Sequence, residues 1–286
     1  MKFQPRDEQI LSLLSKYGVL STRQLRCLAF KDISHTTALR RLRILEKGDL
    51  IVRVLGLSDG LHAWSLGRQG ARAIGEDLPF RFTNRNETEH EVTLSQVRIS
   101  LDRFGFGKDW TSGTEMKRAG YEHSRRRETS EKVIPDGIFT ANYRASPEVI
   151  AVELELHAKA RARYEKLLTQ YAAKSAIHFI WYIVPRTSIG NAVLDEWQKI
   201  PSWRKSNSAA GIGYSLLSEA IESPESMKLY QPEGKPIPFF GVFQPEPKPK
   251  KAKPKEPETV AKAQPNDSLP AQAPAHPLGS ENEAAA

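Results

Sequence analysis

Two glutamates stand two residues apart in the most strand-like stretch of the chain, Val152-Glu153-Leu154-Glu155-Leu156. Side chains on a strand alternate faces, so Ile150, Val152, Leu154 and Leu156 share one face, and Ala151, Glu153 and Glu155 share the other. The two carboxylates then fall about 7 Å apart. Like charges that close repel, and burial raises the cost. A divalent cation would remove that cost, and carboxylate oxygens suit Mg²⁺ or Mn²⁺. A third carboxylate, Asp136, lies on the preceding predicted strand. If residues 142–148 turn a hairpin, Asp136 falls opposite residues 153–156, and Asp136, Glu153 and Glu155 converge at one strand end. Each has a plainer reading when taken alone: Asp136 in Pro135-Asp136-Gly137 as a turn residue, the glutamates as the solvated face of an edge strand.

A helix pattern follows at once. Tyr164, Leu167, Leu168 and Tyr171 recur at i, i+3, i+4 and i+7, a core-facing stripe, so the tyrosines read as packing rather than as nucleophiles. Lys159, Arg163, Lys166 and Gln170 form a second, basic face that starts just after the carboxylates. A metal flanked by cations is what phosphodiester cleavage needs: the metal activates water, and a lysine orients the nucleophile or offsets charge on the phosphate. Arg125, Arg126 and Arg127 lie in a polar stretch before Asp136 and read as a solvated loop or as phosphate contacts. The net charge of +8 and pI near 9.5 favour anionic partners, nucleic acid first. Other chemistries lack their motifs. The seven histidines include no His-x-His pair, and neither a phosphate-binding glycine loop nor a Gly-x-Ser-x-Gly elbow is present.

The elements that must position these groups fall into three regions: 1–78, 87–243 and 244–286. In the first, Ile10, Leu11, Leu13 and Leu14 mark a helix that Gly18 ends. Ser21 or Thr22 then caps a short second helix carrying Leu25 and Leu28. A third helix has Leu39, Leu42 and Leu45 inward and stops at Gly48, and two strands follow around a Ser58-Asp59-Gly60 turn. The second region interleaves strands and helices, including the apolar run Ala176–Val184 and a late strand over 211–219, which points to an α/β or α+β domain. The third is proline-, lysine- and alanine-rich without periodicity and is expected to be disordered. The single cysteine, Cys27, excludes an internal disulfide framework and fits a cytoplasmic setting. No apolar run is long enough for a membrane span, and the N-terminus lacks the apolar core of a secretory signal.

Helix, helix, helix and a two-stranded wing resembles the winged helix-turn-helix, carried here by Leu20–Leu25 and Thr36–Val52. The resemblance implies that the third helix enters the major groove of double-stranded DNA. His35, Thr36, Thr37, Arg40 and Arg41 would then face the DNA, with Arg53 on the wing. Pro135-Asp136-Gly137 followed by apolar-Glu-apolar-Glu looks like the PD-(D/E)xK fold of restriction endonucleases. Over most of the chain, the winged helix, the helix with Thr88-Glu89-His90-Glu91-Val92, that Pro-Asp-Gly and Glu153–Tyr164 together resemble the replication-relaxation family, and in it the C-type plasmid mobilisation relaxases. This resemblance implies a nuclease-like site that nicks an origin of transfer. Asp136, Glu153 and Glu155 would be metal ligands, and Lys159 the migrated catalytic lysine, because Glu155 takes the usual lysine position. His90 or Glu91 would add a ligand, with Glu115 a further candidate, and other mobilisation or replication proteins would be partners. The retained alternative is a DNA-binding regulator or accessory factor whose nuclease-like domain is inactive.

Overall fold

The computed structural model describes residues 3–54, 57, 62–76, 85–106, 109–117, 133–143, 146–202 and 211–245. The chain starts with helix α1 (Pro5–Tyr17), which buries Ile10, Leu11 and Leu14. Gly18 ends it at φ 79°, donating its N–H to the Leu14 carbonyl, a left-handed stop that glycine adopts without Cβ strain. Strand β1 (Val19–Ser21) leads into α2 (Thr22–Ala29). Ser21 is the cap: its hydroxyl accepts the Gln24 N–H at 3.2 Å, and the Gln24 side chain accepts the Ser21 N–H at 2.7 Å, a reciprocal capping box. Helix α3 (His35–Lys47) is capped by Ser34 and turns Ala38, Leu42 and Leu45 inward, with Leu39 only partly buried. Strands β2 (Ile51–Val54) and β3 (Ala63–Leu66) pair antiparallel as the wing, and β1 pairs with the far side of β3. This is a winged helix-turn-helix; its expected turn at Ser58-Asp59-Gly60 lies outside the described residues.

Two elements here escape the sequence pattern, β1 and a helix α4 (Arg68–Ile74) after the wing. Both are too short to show a period.

Helix α5 (Arg85–Asp102) is buried on two sides. Ile99 packs into the winged-helix core with Leu11 and Trp64, whereas Leu94, Val97 and Leu101 pack into the core of the second region. Polar contacts fasten the first side. The Gln24 amide donates to the Val92 carbonyl at 2.9 Å and to Gln96 Oε1 at 3.1 Å; the Ser95 hydroxyl donates to the Tyr17 carbonyl at 2.9 Å; Lys16 pairs with Asp102 at 2.6 Å. The helix that carries His90 is therefore also the one that holds the winged helix.

Beyond α5 the chain runs through β4 (Thr111–Ser112), a helical turn α6 over 113–117, the hairpin β5 (Gly137–Tyr143) and β6 (Ser146–Leu154), α7 (Arg161–Ala172), β7 (Phe179–Val184), α8 (Thr187–Lys199) and β8 (Gly211–Leu216). It continues with α9 (Leu217–Glu222), β9 (Lys228–Leu229), β10 (Ile237–Pro238), α10 (Phe239–Val242) and β11 (Phe243–Gln244). The main sheet is six-stranded in the order β11-β5-β6-β7-β8, with β4 on β5. β6, β7 and β8 are parallel, which requires crossovers, and α7 and α8 supply them. These two helices cover one face of the sheet; α5, α9 and α10 cover the other. The result is a mixed α/β domain of three layers. β7 is buried at every position, as a strand between two helical layers should be.

Two expectations need correction. The late strand ends at Leu216, and the next residues form α9; the apolar Leu216-Leu217 step hides the change of period. Gln244, expected in the tail, pairs with Asn142 in β11. The rest of the 244–286 segment beyond Pro245 lies outside the described residues. Among the described residues no helix is long and apolar enough to cross a membrane.

Candidate active site and nucleic-acid surface

The β5–β6 register builds the site. Gly137 pairs with Val152, which sets Asp136 across from Glu153. The Asp136 N–H donates to the Val152 carbonyl at 3.1 Å, its carbonyl accepts the Gly113 N–H at 2.8 Å, and its Oδ2 accepts the Leu154 N–H at 2.8 Å. Asp136 thus stands in the bend just before β5, tied to β6 by both its backbone and its side chain. Gly137 is required by close approach: a Cβ there would sit 2.4 Å from the Trp110 ring, which stacks on Phe139.

Glu153 and Glu155 are not on a solvated edge. They face the α7/α8 layer, 8% and 4% exposed. Glu153 accepts a hydrogen bond from the Tyr171 hydroxyl and neighbours Tyr182 across the strands. The Glu155 N–H donates to the Ile183 carbonyl at 3.0 Å, extending the pairing beyond β6. Lys159 Nζ pairs with Glu155, and the Lys159 N–H donates to the Tyr164 hydroxyl at 3.0 Å. From α5, His90 Nε2 reaches Asp136 Oδ2 at 3.2 Å and the Leu154 carbonyl at 3.0 Å, while Nδ1 lies 3.7 Å from Glu91.

Burial pushes the Glu153 carboxyl up to about 8, and the Asp136 charge adds to it against the Tyr171 hydrogen bond. Burial also raises Glu155, against the bond and charge of Lys159. Burial alone would lower His90, but its bonds to Asp136 and Glu91, and their charges, push it up to about 10. As the side chains stand, His90 Nε2 is taken up by Asp136 and the Leu154 carbonyl. Glu115 accepts the Ser112 N–H at 2.6 Å and is a local cap.

The donor chemistry suits a hard divalent cation: three carboxylates stand near one strand end, two of them buried. One orphaned atom also points to a missing partner. The fully buried Tyr182 hydroxyl, beside Glu153, has none among the described residues, and such groups call for an explanation. As the side chains stand, no three His, Cys, Asp or Glu among the described residues are gathered to hold a metal ion, and His90, Tyr171 and Lys159 are each bonded to one of the carboxylates.

On the winged helix, His35, Thr36, Thr37 and Arg40 are exposed. Arg41 is not part of that surface. It turns inward to Asp7, with Nε 2.8 Å from Oδ1 and a second bond to Oδ2, and Asp7 is fully buried. Helical geometry explains the swap: Thr36, Arg40, Arg43 and Lys47 follow i, i+4, i+7 and i+11 and all are exposed, whereas Arg41 sits beside the buried Leu42 and Leu45. Arg43 and Lys47 were missed by sequence reasoning, although the spacing carried the signal. Arg53 pairs with Glu46 at 2.9 Å and lies over the Trp64 ring. Arg163 is exposed in the first turn of α7, and its charge acts on Glu155. Arg125, Arg126 and Arg127 lie outside the described residues.

Fold and site together define a class: a winged helix fused to a mixed α/β domain with a buried carboxylate–lysine cluster. The sequence profile of the replication-relaxation family matches residues 11–181, more than half of the chain and all of that cluster. The chain belongs to the replication-relaxation family. Among solved structures, the restriction endonuclease FokI bound to DNA is similar at 12% identity and a TM-score of 0.25, over 76% of this chain and 43% of that one; the likeness is too slight to transfer chemistry. No curated protein matches.

Proposed function

We propose that this protein is a cytoplasmic DNA-nicking enzyme of the C-type mobilisation relaxase kind. It acts on double-stranded DNA at the origin of transfer of a plasmid or mobile element, beside other mobilisation or replication proteins. The observation that supports this is the β5–β6 register, which sets Asp136 across from the buried Glu153, with Glu155 two residues on and Lys159 paired to it. In this reading the three carboxylates hold Mg²⁺ or Mn²⁺, which when bound supplies an activated water and offsets charge on the phosphate. Lys159, released from Glu155, orients the nucleophile. Arg163 and the first turn of α7, whose N-cap Ala160 makes no side-chain cap, receive the backbone phosphate. The stripe Thr36, Arg40, Arg43 and Lys47 holds the duplex.

Supercoiled DNA carrying the protein's own flanking sequence should convert to open circles with Mn²⁺ and not with chelator. A second reading, a DNA-binding accessory factor with an inactive site, is favoured by one observation: each carboxylate is already engaged by a group of the protein. Sequence-specific gel shifts without any open circles would replace the first reading by the second.

Binding should fall steeply with salt, as expected when lysine and arginine displace counter-ions from phosphate. Arg40→Ala plus Arg43→Ala should weaken binding about 10–100-fold and reduce the salt slope by about 2, with an unchanged melting temperature. An unaltered gel shift would remove this stripe from the interface.

A further inference from the structure

Two buried tyrosines face Glu153 from different elements. Tyr171, on α7, donates its hydroxyl to Glu153 Oε1. Tyr182, on β7, is the residue paired with Glu153 across the strands, and its hydroxyl has no partner among the described residues. Both side chains are fully buried. The charges of Glu153, Glu155 and Asp136 reach the Tyr182 hydroxyl and, with burial as the main cause, raise it well above its usual value.

A buried hydroxyl without a partner destabilises the fold, and phenylalanine would fill the same space without that cost. Nothing in the site as it stands uses the Tyr182 oxygen. A carboxylate that gives one lone pair to a cation keeps other acceptor positions, and when buried these need donors. Tyr171 serves one of them, and Tyr182 is the adjacent donor left over. The groups behind metal ligands fix ligand orientation in this way.

We infer that Tyr171 and Tyr182 are positioning residues that hold the Glu153 carboxylate from two elements so that it presents one oxygen to a divalent cation. This rests on the reading of Asp136, Glu153 and Glu155 as the metal site. Tyr164 is the internal control. Its hydroxyl accepts from the Lys159 backbone, so its loss disturbs the lysine segment and leaves Glu153 alone.

Calorimetric titration of the full chain with Mn²⁺, paired with urea unfolding, tests the role. Tyr171→Phe and Tyr182→Phe should each lower Mn²⁺ affinity about tenfold or more, while Tyr164→Phe, which loosens only the lysine that competes for Glu155, should not lower it. Tyr182→Phe should unfold at the same or higher urea, which a residue kept only for packing would also show; the affinity loss is what separates the two. If Tyr171→Phe fails to fold, Tyr182→Phe decides alone. Wild-type affinity in folded Tyr182→Phe overturns the inference and leaves the metal site standing. No Mn²⁺ binding by the wild type overturns the metal site, and the inference with it.

Discussion

Glu153→Gln should abolish nicking and, without added metal, make the protein more stable at pH 8. The carboxyl sits at about 8 in the fold because it is buried beside Asp136, whereas in the unfolded chain it titrates near 4.3. A group raised on folding gives its full stability below the unfolded value and loses it as pH climbs toward the folded value, because the unfolded chain releases a proton that the folded chain keeps. Between about pH 5 and 8 the wild type should therefore lose stability through Glu153, and the glutamine variant should not. The difference at pH 8 is on the order of 5 kcal/mol at most. His90 is also raised and contributes stability below about 6.5 that fades toward 10. The two proteins are therefore to be compared at each pH rather than one protein across pH. Mn²⁺ should reverse their order, since a ligand stabilises only the protein that binds it. Superimposable unfolding curves from pH 5 to 8 would show that Glu153 carries no buried-charge cost.

Arg41→Ala should cost about 2–4 kcal/mol, the effect of stranding a buried carboxylate whose partner has been removed. Asp7 has no exposed surface, and the Arg41 side chain is 16% exposed. In a chain of this size the melting temperature should drop by about 5–10 °C. Arg40→Ala, one residue away and exposed, should change stability by less than about 0.5 kcal/mol. A weakened gel shift in Arg41→Ala would then report a loosened module rather than a lost DNA contact, so any DNA role of this arginine must be read at temperatures where the variant is fully folded. Equal unfolding midpoints for the two variants would show that the Asp7–Arg41 pair contributes nothing.

The carboxylate pair was legible because it depends on short-range geometry. Strand alternation alone put Glu153 and Glu155 on one face. A tight hairpin, pairing Tyr143 with Ser146, carries the register back to Asp136 by counting. Caps and stops were legible for the same reason: Ser21 and Gly18 act on backbone groups within four residues. The order of three helices and a wing followed from these local signals. The partners of charged and polar side chains did not. Asp7 and Arg41 are 34 residues apart, and His90 and Asp136 are 46 apart. Which side chain meets which at that range depends on how helices pack, and no periodicity encodes it. Tyr164 and Tyr171 were correctly on an apolar stripe, yet the stripe says nothing about where a hydroxyl at its rim points. The sequence by itself determined which residue types share a face and the order of the elements, because local sterics and hydrogen bonds set both. Only the tertiary structure decided that Arg41 turns inward, that His90 meets Asp136 and that two tyrosines flank Glu153. Those outcomes belong to the packing of α1 on α3, of α5 against the strand end and of α7 over β6 and β7.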